Sequence, residues 1–231
     1  MIPILTKEQC KNLIRWHNSH RHLETVGSPT DYVGIRKLHI KNEGIRQYFQ
    51  IVENHCISEI YKATGKVFHT EMASLCRWHN GGVQNPHLDT YSNQEEKIGE
   101  GSAENPSREW TVIVYLNDDY TGGETYFPPS DYYPFGYQVE KEVGDGLLFQ
   151  GIYHGHGVFK VRRSTRHTLA LWFTEDLSKA MTTRPVTDLN YNENTIKSEL
   201  QYQSDSVLFT QEDVTKNPKK WVEYKQFSKN L

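Results

Sequence analysis

From about Lys66 to about Asp176 the chain is a succession of short β-rich runs divided by Gly, Pro and Asn, and this texture limits the folds open to it. Short strands with frequent turns are typical of antiparallel sandwiches and barrels, whereas a parallel sheet needs a long crossover between strands. The sequence therefore predicts a mainly β fold with flanking helices. Seven runs are predicted as strands: Val67–Leu75, Trp110–Leu116, Thr125–Phe127, Gln138–Val143, Leu147–Phe149, Gly157–Val161 and His167–Phe173.

The first 65 residues are predicted to be helical. Thr6 and Gln9 have the spacing of a capping box, in which each side chain bonds to the backbone N–H of the other residue. A second helix is indicated by apolar residues three and four positions apart between Ile45 and Ile60. A late helix is predicted over Thr210–Phe227, in an otherwise polar C-terminal part.

Length and composition favour one domain. The chain has 231 residues, of which 36% are hydrophobic, and this is enough for a sizeable core. No linker-like stretch divides it. We expect a single domain over residues 1–231, with N-terminal helical support (1–65), a β core (66–176) and a C-terminal extension (177–231).

The net charge and the N-terminal residues lead to predictions about binding partners and cellular location. A net charge of −3 gives no reason to expect binding to nucleic acid or to a membrane surface. The first residues lack the basic start and apolar run of a secretory leader, and no apolar run approaches the roughly 20 residues of a membrane helix. The three cysteines match no zinc spacing and suggest reduced thiols. We expect a cytoplasmic protein and leave its oligomeric state open.

The sharpest local motif is His87-Leu88-Asp89. On a strand, residues i and i+2 project to the same face, so this imidazole and this carboxylate can bind one metal ion. Two histidines and one carboxylate form the facial triad of non-haem Fe(II) oxygenases, which leaves open positions on the metal. A solvent-facing turn is the alternative interpretation of the motif when it stands alone.

Further blocks accompany this motif in a fixed order, and they are Arg108–Asn117, Gly122–Phe127, Val143–Phe149 and His156–Val158, then Arg166 and Trp172. Together the blocks resemble the 2-oxoglutarate/Fe(II) dioxygenases of the prolyl 4-hydroxylase type. The resemblance covers roughly residues 75–173. It implies a double-stranded β-helix, or jelly roll, with the N-terminal helices packed on the major sheet.

The resemblance also implies a ligand set. Fe(II) would be held by His87, Asp89 and His156, and Arg166 would pair with the far carboxylate of 2-oxoglutarate. A guanidinium suits this task because its planar fork meets a carboxylate with two parallel hydrogen bonds and stays charged when buried. His154 is a second candidate for the distal ligand, but the spacing to Arg166 favours His156. Aspartate at position 89 argues against halogenase chemistry, which needs that coordination site for halide.

Other positions match the pattern less specifically. Tyr115 and Thr125 correspond to residues that often donate hydroxyl contacts to the same carboxylate, and Trp172 corresponds to a wall of the pocket. Plain core packing is the alternative for Tyr115 and Trp172, and a half-exposed strand position is the alternative for Thr125. Where the family commonly has tyrosine, this chain has Trp78, which can wall the pocket but cannot accept a hydrogen bond. We predict that Trp78 contacts the substrate or the co-substrate.

Two loops are candidates for substrate contact. Tyr132 and Tyr133 belong to an aromatic stretch, residues 128–137, that either faces a peptide or closes a hydrophobic corner of the jelly roll. The polar segment Thr90–Ser107 has the composition of a lid or of a surface insertion.

The resemblance implies an enzyme that hydroxylates an unactivated C–H bond and releases succinate and CO2. Its cofactors and co-substrates would be Fe(II), 2-oxoglutarate and O2, with ascorbate as a reductant. The favoured substrate is a prolyl residue in a peptide or protein. A free amino acid or another small metabolite is the alternative, and a non-catalytic jelly-roll binding module is a more remote one.

Overall fold

The computed structural model describes residues 1–28, 31–90 and 107–181. The two helices are α1 (Lys7–Ser19) and α2 (Glu43–Thr64), and short 3-10 turns cover Arg21–Leu23, Lys37–His39 and Leu177–Lys179. The strands are β1 (Ile2–Pro3), β2 (Val26–Ser28), β3 (Tyr32–Arg36), β4 (His69–Trp78), β5 (Gln84–His87), β6 (Trp110–Tyr115), β7 (Thr125–Phe127), β8 (Tyr137–Gln138), β9 (Asp145–Phe149), β10 (His156–Val158) and β11 (Arg166–Thr174).

Both predicted N-terminal helices are confirmed, and local chemistry fixes their ends. Thr6 and Gln9 form the reciprocal capping box at the start of α1. Asn42 caps α2 by accepting a hydrogen bond from the backbone N–H of Ile45. Gly65 ends α2 in the left-handed conformation that glycine adopts at little cost.

The strands form two antiparallel sheets, which together give the predicted jelly roll. The major sheet has the order β1-β9-β6-β11-β4-β3-β2, and the minor sheet has the order β5-β10-β7-β8. From β4 to β11 the chain passes repeatedly from one sheet to the other, with β7 and β8 both in the minor sheet, and the residues between the sheets come from both.

The helices cover the outer face of the major sheet, as predicted. Leu13 of α1 and Phe49 of α2 belong to one buried cluster with Leu75 of β4 and Leu169 of β11. A second cluster fills the space between the two sheets. The side chains of β11 therefore alternate between a helix-covered face and the interior of the jelly roll, and the site described below occupies the interior.

Two sequence predictions about secondary structure are wrong. The first 65 residues are not purely helical, because β1 pairs with β9 and the hairpin β2–β3 extends the major sheet beside β4. The run Gln138–Val143 is strand only at its first residue. Beyond it, the chain turns at Gly144, whose φ of 94° is a left-handed conformation, and re-enters the major sheet as β9. The apolar residues of the run pack inward without pairing as a strand.

The helix-covered face contains a buried pair of imidazoles. His17 of α1 meets His167 of β11 edge-to-face, with ring centroids 5.9 Å apart. His17 also lies 3.1 Å from Glu24 Oε1, which in turn accepts a hydrogen bond from Arg77. Burial is the main cause that lowers the pKa of each imidazole to about 4.

The depressed pKa values of these two histidines predict acid sensitivity. The unfolded chain protonates both imidazoles below about pH 6.5, whereas the folded chain keeps them neutral down to about pH 4. The contribution of each neutral imidazole to the free energy of unfolding is therefore fully present above pH 6.5. Roughly 2–3 kcal/mol per imidazole is lost as the pH falls towards 4. Free energies of unfolding measured with urea at several pH values in this window should show the loss. His167→Leu should reduce the slope of the free energy of unfolding against pH by about half. An unchanged slope in the variant would contradict this assignment.

Some predictions lie beyond what the structure describes. The late helix over Thr210–Phe227 and nearly all of Thr90–Ser107 are outside the described residues, and the three-part division of the chain stays a prediction. Among the described helices, none is both long enough and apolar enough to cross a membrane.

Candidate active site

Three metal-binding side chains meet inside the jelly roll. His87 ends β5, His156 begins β10, and the two residues are direct partners across the pair of strands. Asp89 follows two residues after His87. One possible ligand atom from each of the three residues lies within 4.8 Å of the other two. In the described part of the chain no other group of three His, Cys, Asp or Glu side chains is close enough to bind one metal ion.

The orientation of the imidazoles suits a metal. The Nδ1 atoms of His87 and His156 lie 3.0 and 3.1 Å from the backbone carbonyl oxygens of Asn85 and His154, two residues earlier in each case. Donation from Nδ1–H to these carbonyls leaves each Nε2 as the free lone pair, and this arrangement is typical of metal-binding histidine. Both Nε2 atoms lie 3.8 Å from an oxygen of Asp89, which is too long for a hydrogen bond.

Two hydrogen bonds fix the position of Asp89. Thr111 donates a hydrogen bond of 2.5 Å to Oδ2, and the backbone N–H of Asp89 donates to the carbonyl of Gly151. A Cβ atom at position 151 would collide with that carboxylate, so a side chain is excluded there. Burial alone would raise the pKa of Asp89, but His156, His87 and the Thr111 hydroxyl outweigh burial and lower it. The carboxylate is therefore ionised and available to a cation.

The donor set fits Fe(II). Two neutral imidazoles and one carboxylate with their lone pairs towards one point form a facial triad. Burial lowers the pKa of His156 to about 4 against the opposing effect of Asp89, so this imidazole is neutral, as a metal ligand must be.

The same cavity contains Arg166, whose side chain is 1% exposed. Its Nη2 donates to the Thr125 hydroxyl at 3.3 Å, and Thr125 accepts another hydrogen bond of 2.7 Å from Tyr115. In residues 1–28, 31–90 and 107–181 the arginine–carboxylate ion pairs do not include Arg166, and its Nε has no hydrogen-bond partner. A buried cation without an anion is costly, so this one is arranged to receive a ligand.

Aromatic side chains form much of the cavity wall. Trp78 and Trp172, both expected at the pocket, line it, and the Arg108 guanidinium lies 5.3 Å from the Trp172 ring. The sequence predictions missed Tyr32 and Thr111, which line the same cavity. Thr111 lies in the block Arg108–Asn117, but nothing there singles it out, and Tyr32 lies outside every block. The sheet register brings both residues to the site.

The aromatic candidates from residues 128–137 lie elsewhere. Tyr133 is buried beside Phe127 and Tyr137, in the hydrophobic corner that was the alternative interpretation. Tyr132 is 42% exposed and packs on His154, with ring centroids 4.8 Å apart. Neither tyrosine lines the cavity, and His154 is not part of the ligand cluster.

A jelly roll with an interior His-Asp-His cluster is the arrangement typical of non-haem iron oxygenases. The family comparison agrees, because residues 73–174 match the 2OG-Fe(II) oxygenase superfamily. The match covers the β core and agrees with the resemblance found in the sequence, so the β core is similar to 2-oxoglutarate-dependent dioxygenases. Members use Fe(II), 2-oxoglutarate and O2.

Within the superfamily the similarity is to prolyl hydroxylases. Human prolyl 3-hydroxylase 1 is 39% identical over 70 residues, which are 30% of this chain and 10% of that protein. The chain thus matches only about a tenth of the length of its curated relatives.

Two solved structures share the fold. A prolyl-4-hydroxylase from Pseudomonas putida has a TM-score of 0.57 at 17% identity, covering 75% of this chain and 90% of its own. A prolyl hydroxylase from Trichoplax adhaerens, in complex with a hypoxia inducible factor peptide fragment, has a TM-score of 0.58 at 13% identity, covering 80% and 86%.

Proposed function

We propose that this chain hydroxylates a prolyl residue in a peptide or protein, using 2-oxoglutarate and Fe(II). The observation that carries the proposal is the buried Arg166, which has no carboxylate partner among the described residues and shares a cavity with the His-Asp-His cluster. A metal centre alone fits many chemistries. A metal centre that shares its cavity with an unpaired guanidinium fits a co-substrate that has both a chelating end and a distant carboxylate.

Each side chain has a definite task in this proposal. His87, Asp89 and His156 hold Fe(II), while Arg166, Thr125 and Tyr115 bind the far carboxylate of 2-oxoglutarate. When bound, the iron with 2-oxoglutarate and O2 supplies the oxidising power, and one oxygen atom goes to succinate and the other to the substrate hydroxyl. Burial of the cluster keeps bulk water from the reacting atoms. Thr111 fixes the carboxylate of Asp89.

The choice of a peptidyl substrate rests on the relatives. The human relative is by name a prolyl 3-hydroxylase, and the Trichoplax neighbour is a complex with a peptide. Exposed aromatic rings at Tyr132, Phe135 and Tyr153 offer faces on which a proline ring can pack. Hydroxylation of a free amino acid or small metabolite remains the alternative substrate class.

Succinate formation with a panel of proline-containing peptides tests the proposal, with hydroxylation at C3 or C4 read by mass spectrometry and NMR. We expect iron-dependent succinate release that matches hydroxyproline formation mole for mole. Asp89→Ala serves as the inactive control. If no peptide stimulates turnover but a free amino acid does, the peptidyl proposal is wrong and the alternative is correct. Ascorbate, predicted as a reductant, can be omitted and restored in the same assay.

A further inference from the structure

One row across the major sheet joins the Arg166 site to the N-terminal hairpin. Tyr32 of β3 pairs with Trp78 of β4, and Trp78 pairs with Arg166 of β11. All three side chains line the same cavity. Side chains at directly opposed positions on neighbouring strands are in contact range, so the row places three interacting groups side by side.

These side chains form a continuous stack. The rings of Tyr32 and Trp78 are stacked, with centroids 4.5 Å apart and planes 25° apart. The Arg166 guanidinium carbon lies 4.9 Å from the Trp78 centroid and 5.4 Å from that of Tyr115. Both distances are in the range of cation–π attraction. The guanidinium is therefore flanked by two aromatic side chains, and Tyr32 supports one of them from its far side.

Hydrogen bonding does not fix Trp78. Its indole Nε1 is buried and has no partner in the described part of the chain. The position of the ring therefore depends on packing, between Tyr32 on one side and Arg166 on the other and within the apolar cluster that it shares with Val158 and other residues. Removing the Tyr32 ring would open space on one side of the indole and let it tilt, and the guanidinium would lose the surface against which it is held.

We propose that Tyr32 is a positioning residue for the co-substrate, acting through Trp78 to hold the Arg166 guanidinium in place for the far carboxylate of 2-oxoglutarate. The inference rests on the proposed function, since it assumes that Arg166 binds this carboxylate. The stacking ring is the active part of Tyr32, and its hydroxyl is not required. Phenylalanine should therefore replace it, whereas leucine should not.

Calorimetric titration of the protein loaded with redox-inert Mn(II), under anaerobic conditions, tests this without turnover. We expect Tyr32→Leu to weaken 2-oxoglutarate binding roughly tenfold, consistent with loss of one supported cation–π contact. Tyr32→Phe should bind within about twofold of the wild type. Arg36→Gln, at an exposed position of the same strand, should leave the affinity unchanged.

A second ligand separates positioning from general damage. 2-Oxovalerate has the same carbon chain and chelating end but lacks the far carboxylate, so it does not need Arg166. Tyr32→Leu should bind it as the wild type does. An equal loss for both ligands would overturn the proposal, because it would indicate a disordered site. If Tyr32→Leu does not fold, Trp78→Leu tests the same stack from its middle, with Trp78→Phe as the rescue.

The outcomes for the inference and the proposed function differ. If the wild type binds 2-oxoglutarate and Tyr32→Leu binds it equally well, the positioning role is wrong and the proposed function stands. If the wild type does not bind 2-oxoglutarate, or if Arg166→Gln binds it as well as the wild type, the proposed assignment of Arg166 falls and the inference falls with it.

Discussion

Replacing Asp89 by alanine should abolish iron-dependent succinate formation, and His87→Ala should do the same. Each change removes one of three metal-binding groups, and no spare ligand lies in the cluster. Losing the charge stabilisation that a bound metal supplies costs several kcal/mol, or about three powers of ten in rate. Succinate release and the metal content of the purified variants measure this directly.

The matched control for this experiment is Asp131→Ala, which removes an exposed carboxylate outside the cluster. It should retain wild-type activity and metal content. Full succinate production by Asp89→Ala would show that the carboxylate is not a ligand, and equal metal content in all variants would place the ion elsewhere. The two measurements together separate a lost ligand from a lost fold, because unfolding would also lower the melting temperature.

Arg166→Gln should raise the KM for 2-oxoglutarate by about a hundredfold or more, and Arg166→Glu should raise it further by repulsion. Truncating one member of a buried, hydrogen-bonded charge pair costs about 2–5 kcal/mol. Within the described residues the guanidinium donates to the Thr125 hydroxyl and has no carboxylate partner. Steady-state kinetics with varied 2-oxoglutarate measure the change. Arg162→Gln, at an exposed nearby position, should leave the KM unchanged.

A stability measurement makes the Arg166 prediction more specific. A buried charge without a counterion destabilises the free protein, so Arg166→Met should raise the free energy of unfolding while it removes affinity for 2-oxoglutarate. The opposite signs would distinguish a ligand-binding residue from a structural one. A variant that loses both stability and affinity would indicate that Arg166 mainly supports the fold, and an unchanged KM would mean that another cation binds the co-substrate.

Sequence reasoning reached the parts of the site that lie close together along the chain. His87 and Asp89 share one motif, and the spacing from His156 to Arg166 is a local pattern. The period-two alternation of strands places His87 and Asp89 on one face, and the resemblance to the dioxygenase family assigned His156 and Arg166 to the same site. The capping box at Thr6 is equally local, and so the start of α1 was predictable.

The same reasoning failed where register decides proximity. Tyr32 reaches the site only because β3 pairs with β4, and no pattern within β3 shows which strand it will pair with. Thr111 of β6 likewise meets Asp89, which follows β5, only in the folded chain. The run Gln138–Val143 has Val139 and Val143 on one side of an extended chain and so resembles a strand, but its pairing ends at Gln138.

The direct pairing of His87 with His156 has a consequence for local stability. The two strands that carry these ligands pair with an irregular register, and the minor sheet to which they belong has only four short strands. A metal ion bound by both histidines would act as a cross-link between neighbouring strands. Its binding energy would then stabilise mainly the minor sheet, and metal depletion would speed amide hydrogen exchange there before it affects the helix-covered major sheet.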